Sequence, residues 1–220
     1  MSEIPPEFAG LARQFIREVA ADDKRAALAI LALHRPVQAR LVRKPRSYLR
    51  DGTLAALAGA WEAVPRRFRI GMQSKIDRRG RIGSISEAFV AACEIQAEDW
   101  ATSEHALMIE GSKFEVTPKT VSFTPIDFAS IGWHALGRRY ERGRERSADS
   151  VMADLKVLAS AAIHNEERYP DGIGFRLRVT HGYWLGVLGD VMIAENKTEP
   201  PVDGGTQFVV RTYIDADQIK

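Results

Sequence analysis

The chain has a single cysteine, Cys93, in 220 residues. A disulfide framework is therefore excluded, and the thiol usage suits a reducing compartment such as the cytoplasm. Cys93 stands in Ala91-Ala92-Cys93-Glu94-Ile95, an apolar setting that predicts a buried structural thiol rather than a nucleophile. Runs of about 20 apolar residues, which a membrane helix requires, are also missing. The opening Met-Ser-Glu-Ile-Pro-Pro has no basic start followed by an apolar run, so neither a signal peptide nor a membrane partner is expected.

Several chemistries lack their motifs as well. There is no G-x-x-x-x-G-K-S/T phosphate loop, no G-x-G-x-x-G turn, no H-E-x-x-H pair and no G-x-S-x-G elbow. No cofactor or metal site is expected. His164-Asn165-Glu166-Glu167 offers ligand residue types without a metal spacing and reads as a solvated helix end. Asn196-Lys197-Thr198 fits a glycosylation acceptor, but nothing else points to secretion.

What the chain does have is charge of one sign gathered in one place. Between Arg35 and Arg81 stand thirteen basic and three acidic residues, an excess of ten in a chain whose net charge is +2. Arg66, Arg67, Arg78 and Arg79 belong to this segment. A field of that sign attracts RNA or another polyanion, or an acidic protein surface.

Patterning predicts an α+β chain: a helical N-terminal region, then helices packed on one face of a small antiparallel sheet. The division falls at 1–83 and 84–220, unless the two form one continuous domain. Phe8, Leu11, Phe15, Ile16 and Val19 recur at helical spacing, and the apolar run continues through Leu33 until Pro36 should stop it. Asp22-Asp23 either interrupts it or lies exposed. Leu54 to Val64 reads as a short helix. Ser86 is placed to cap a helix through Ala88, Phe89, Ala92 and Ile95. Ala106–Ile109, Phe114–Val116 and Thr120–Phe123 read as strands.

A helix is expected from Pro125 or Asp127 to Arg142, and a second one after a cap at Ser147 or Ser150. Strands are expected at Phe175–Val179, Tyr183–Ala194 and Gln207–Ile214. Helices followed by strands suggest one layer of each. The core of this unit should include Phe128, Ile131, Leu136, Tyr140, Val151, Leu155, Leu158, Phe175, Leu177, Val187, Phe208, Val210 and Ile214.

His134, Arg138 and Arg142 are spaced by four, which puts them on one helical face with Glu141 a turn away. Cleaving RNA without a metal needs a base for the 2′-hydroxyl proton, an acid for the leaving 5′-oxygen and cations for the phosphate. Histidine fits either proton role and arginine fits the phosphate. A wet, idle helix face would carry the same residues.

His134-Ala135-Leu136-Gly137-Arg138, with Gly182-Tyr183-Trp184-Leu185-Gly186 and Val210-Arg211-Thr212-Tyr213-Ile214, resembles the barnase, EndoU, colicin and RelE group of ribonuclease toxins. The likeness covers roughly the last ninety residues. It implies a helix-then-sheet fold, metal-independent RNA cleavage, and catalytic His, Arg or Lys, and Thr or Ser on these elements. RNA is the expected partner, with a cognate inhibitor protein as a further candidate. Strict alternation along the last strand separates Arg211 from Thr212 unless the strand bulges, and Arg211 is then the better phosphate contact. His181 sits at a turn where a second acid or base could stand, and Trp184 could stack on a base. The alternatives are a non-enzymatic nucleic-acid-binding or regulatory protein using the basic 35–81 surface, or a protein-interaction module.

Overall fold

The computed structural model describes residues 3–43, 59–76, 82–96, 103–116, 121–163, 174–193 and 202–218. Helix α1 spans Pro6–Arg43 and passes through Pro36, where a stop is expected from the sequence. A proline removes one donor, and the turns on either side hold the helix together across the loss. Asp22 neither interrupts α1 nor lies exposed. It is buried and accepts the Phe68 N–H and an Arg25 guanidinium N–H. Residues 59–62 are helical.

The strands are β1 Arg69–Ile76, β2 Ile82–Gln96, β3 Ser103–Val116 and β4 Val121–Gly132. Helix α2, Trp133–Arg142, and helix α3, Ala148–Ile163, follow. Strands β5 Gly174–Arg178, β6 Gly182–Ile193 and β7 Val202–Asp215 complete the fold before a 3₁₀ turn at Ala216–Gln218. The class is α+β, as expected. Two assignments differ. The stretch after Ser86 is strand β2, because Ser86 pairs with Gln73 and Ala88 with Gly71 across β1; cross-strand partners override a local helical spacing. That pair of strands also lies partly within the region expected to be helical. Residues 125–132 belong to β4, so α2 begins only at Trp133.

The sheet runs β1-β2-β3-β4-β7-β6-β5, and β2 also meets β6 through Ile95 and Ile193. The circuit β2-β3-β4-β7-β6 therefore closes on itself. Strands β4 and β7 are parallel, whereas β1–β2, β5–β6 and β6–β7 are antiparallel. Backbone contacts divide the chain into two compact units. One comprises Met1–Ala20, Val90–Ile109 and Asp127–Lys220, the other Ala21–Phe89 and Glu110–Ile126. Helix α1 and strands β2, β3 and β4 contribute residues to both.

The second unit is organised around Glu87, whose side chain is 1% exposed. Its carboxylate accepts the Trp61 indole N–H and the Arg69 Nε–H, and Arg66 lies within ion-pair distance. Phe68, Trp61, Phe114 and Ile85 bury their rings and branches in this unit. The core of the first unit follows the expected pattern. Ile131, Leu136, Tyr140, Val151, Leu155, Leu158, Phe175, Phe208 and Val210 are buried, and Phe128, Leu177, Val187 and Ile214 are half-buried.

Strand β7 departs from strict alternation at the position that matters. Trp184 pairs with Tyr213 and Leu185 with Thr212, but Gly186 pairs with Val210, so the register steps over Arg211. This is a β-bulge, with one extra residue in β7. Strict alternation would put Phe208, Val210, Thr212 and Ile214 on one face and Val209, Arg211 and Tyr213 on the other; the bulge corrects this. Phe208 and Val210 share a face with Tyr213, as the Phe175–Phe208 and Trp184–Tyr213 ring contacts show. Val209, Thr212 and Ile214 line the other. Gly186 makes the bulge possible, since a Cβ there would meet the Val209 carbonyl and lie 2.5 Å from the Phe175 ring.

Candidate functional site

The parallel register of β4 against β7 ends with Ile131 opposite Val210. One residue later β7 bulges at Arg211, and at Trp133 β4 has given way to α2. The start of α2, with His134, is thereby brought to the same end of the sheet as Arg211. Beyond that point α2 packs against β7. The Arg142 Nη1–H donates to the Tyr213 carbonyl at 2.9 Å, a group on the edge of β7 past the end of β4.

α2 is not a wet surface helix. Ala135 through Tyr140 are all buried, and Ile4 packs over Gly137, whose added Cβ would lie 2.9 Å from the Ile4 Cδ1. Arg138 is 3% exposed and holds Glu141 at 2.5 Å. Glu141 also lies 3.7 Å from the Arg142 Nε. The expected cluster of one imidazole, two guanidiniums and one carboxylate thus exists, but within the packed unit. His134 is half-buried and meets Trp133 edge to face at 5.8 Å. Burial, followed by the positive charges of Arg138 and Arg142, pushes its pKa below the ordinary histidine value. The imidazole is accordingly neutral at pH 7 and able to accept a proton.

Arg211 is exposed. His181 is half-buried at the turn between β5 and β6, where its carbonyl accepts the Ala216 N–H and its ring lies close enough to Asp154 to act on it electrostatically. Trp184 cannot offer a face to a base. It is 0% exposed and packs edge to face on Tyr213 at 5.2 Å, because alternation along β6 turns it towards the helices. Arg66 is likewise no surface cation. Its side chain is 3% exposed, ion-paired to Asp23 and Glu87 and stacked 3.7 Å over Phe89. Arg67 is exposed and lies 5.0 Å over the Phe68 ring. Arg78 and Arg79 lie outside the described residues. The surface expected over 35–81 thus loses the Arg66 charge to the interior.

One pair is not among the residues expected from the sequence. The Arg139 Nε–H donates to Asp154 at 2.5 Å, its Nη1–H to the Glu145 carbonyl at 2.8 Å and its Nη2–H to the Ser150 hydroxyl at 2.6 Å. Its guanidinium lies 5.2 Å over the Tyr213 ring. Gly143 is required beside it, since any Cβ would strike that guanidinium. Burial pushes the Asp154 carboxyl up against the opposing pull of Arg139, and burial pushes the Tyr213 phenol up to about 12. The available signal is spacing: Arg139 stands three and four residues from Leu136 and Ala135, in the apolar stripe.

Ser147 caps α3 by accepting the Ser150 N–H, one of the two caps expected. Among the described residues no group of three His, Cys, Asp or Glu side chains is placed to hold a metal ion. Nor is any helix among them long and apolar enough to cross a membrane. No family model, curated protein or solved structure matches this chain.

Proposed function

We propose that the chain binds RNA and cleaves it at the end of the sheet where α2 begins. The observation that carries this reading is the β4–β7 register, which brings a half-buried His134 and the bulged, exposed Arg211 to one end. A neutral imidazole among guanidiniums suits both binding and proton transfer. The cations attract a phosphodiester, and the free ring nitrogen accepts a proton.

In the reaction His134 takes the proton of a 2′-hydroxyl, and that oxygen attacks phosphorus. The bond from phosphorus to the 5′-oxygen breaks, and the leaving oxygen takes its proton from water. The products are a 2′,3′-cyclic phosphate and a free 5′-hydroxyl. Arg211 and Arg142 stabilise the charge that builds on the non-bridging oxygens. Arg138 contributes a field and positions Glu141 and, through it, Arg142. A cognate inhibitor would be expected to cover Arg211. Purified protein incubated with total RNA tests the reading: the wild type cleaves, and His134→Ala does not.

A further inference from the structure

The face of the sheet opposite α2 and α3 has two parts. Near the middle of the strands Val209 packs with Ala106 and Met108, joined by Cys93 and Val187. The second part lies towards the β5–β6 turn. The register places Arg176 opposite Leu185, Arg178 opposite Tyr183, Thr212 beside Leu185 and Ile214 beside Tyr183, all on this face. Arg176 and Arg178 are exposed, and Tyr183, Leu185, Thr212 and Ile214 are half-buried. The Arg176 guanidinium lies 5.2 Å over the Tyr183 ring.

We propose that this face is a binding platform for single-stranded RNA, with Tyr183 stacking on a base and Arg176 and Arg178 holding the adjacent phosphates. A half-buried apolar floor carrying one aromatic ring and two guanidiniums matches what a single strand exposes. Unstacked bases present flat faces that aromatic rings and guanidinium planes accept, and the backbone beside them carries one negative charge per residue. A duplex hides its base faces and gains nothing from Tyr183. The strand pairing itself fixes the spacing, since Arg178 and Tyr183 are direct cross-strand partners and Arg176 lies one pair further along the same face. The inference rests on the proposed function for its ligand, RNA, but not for cleavage, and it assigns the hold on the strand to residues apart from His134.

The test uses the full chain and a fluorescein-labelled 2′-O-methyl oligouridine, which lacks the hydroxyl needed for cleavage. Anisotropy is read at salt concentrations from roughly 50 to 200 mM. The wild type should bind, and Tyr183→Leu should weaken binding about fivefold or more, whereas Tyr183→Trp should preserve it. Arg176→Gln with Arg178→Gln should make the slope of log affinity against log salt shallower by about 1.4. Duplex RNA of equal length should not distinguish Tyr183→Leu from the wild type. Circular dichroism and melting confirm that each variant is folded, and the arginine variant carries the test should the leucine variant unfold. Wild-type binding that both sets of variants match would overturn the platform while leaving the cleavage reading intact. A wild type that does not bind would overturn it too, and cleavage of total RNA would then decide the function separately. Binding that depends on Tyr183 in a protein that cleaves nothing would support the platform and sink the catalytic proposal.

Discussion

The Arg139 guanidinium and the Asp154 carboxylate meet at 2.5 Å with side-chain exposures of 0% and 1%, tying α2 to α3. Removing one partner leaves an uncompensated buried charge. Arg139→Met should therefore cost about 3–5 kcal/mol of stability, and a double change to Arg139→Met and Asp154→Leu should recover much of it. Urea unfolding measures both. A single variant as stable as the wild type would show that the pair does not hold the helices.

The Tyr213 hydroxyl lies beside this pair, buried, without a hydrogen-bond partner among the described residues. Tyr213→Phe removes a polar group that gains nothing from burial, so stability should be unchanged or rise slightly. Urea unfolding that shows a loss of about 1 kcal/mol or more would mean that the hydroxyl is bonded.

His134 carries the pH dependence. Its pKa in the folded protein lies below the ordinary value of 6.5, through burial and then Arg138 and Arg142. Protonation therefore favours the unfolded chain. The contribution of His134 to stability is present above pH 6.5 and is lost as pH falls through its folded value. An NMR titration of the ring should give a midpoint below 6.5, and Arg138→Gln should move it upwards. A wild-type midpoint at or above 6.5 would contradict the environment described.

The bulge at Arg211 depends on Gly186. Gly186→Ala drives a Cβ into the Val209 carbonyl and the Phe175 ring, and overpacking of this kind costs about 1–3 kcal/mol. The same change should displace Arg211 and weaken binding of RNA at the α2 end. Stability and binding both unaffected would mean that the bulge tolerates a side chain.

Much of the first unit is legible because its signals are local. The Ser147 cap and the alternation in β6 give those elements directly, and the apolar stripe of α3 gives its buried face. β2 is ambiguous in sequence because Ala88, Phe89, Ala92 and Ile95 fit a helix as well as a strand. Only the pairing of Ala88 with Gly71 and Ile95 with Ile193 decides. The expected start of α2 falls too early for the same reason, since β4 continues through Pro125 to pair Ala129, Ser130 and Ile131 with β7. Of the candidate site, the common helix of His134, Arg138 and Arg142 follows from spacing. The burial of Arg138 and Trp184 does not, because it depends on elements distant in sequence. Alternation makes a bulge the condition for re-aiming Arg211, but residue types alone do not reveal whether it forms.

RNA cleavage through His134 is tested most directly by incubating total RNA with purified protein, with and without a chelator, beside His134→Ala. The wild type should yield fragments ending in 2′,3′-cyclic phosphate whether or not the chelator is present. His134→Ala should lower the rate by about 10²–10⁴-fold while binding an uncleavable oligonucleotide nearly as well as the wild type. Arg211→Ala should weaken binding and cleavage together, since a phosphate contact acts on the bound substrate and on the transition state alike. Absence of cleavage by the wild type across roughly pH 5 to 9, or full cleavage by His134→Ala, would contradict proton transfer by His134.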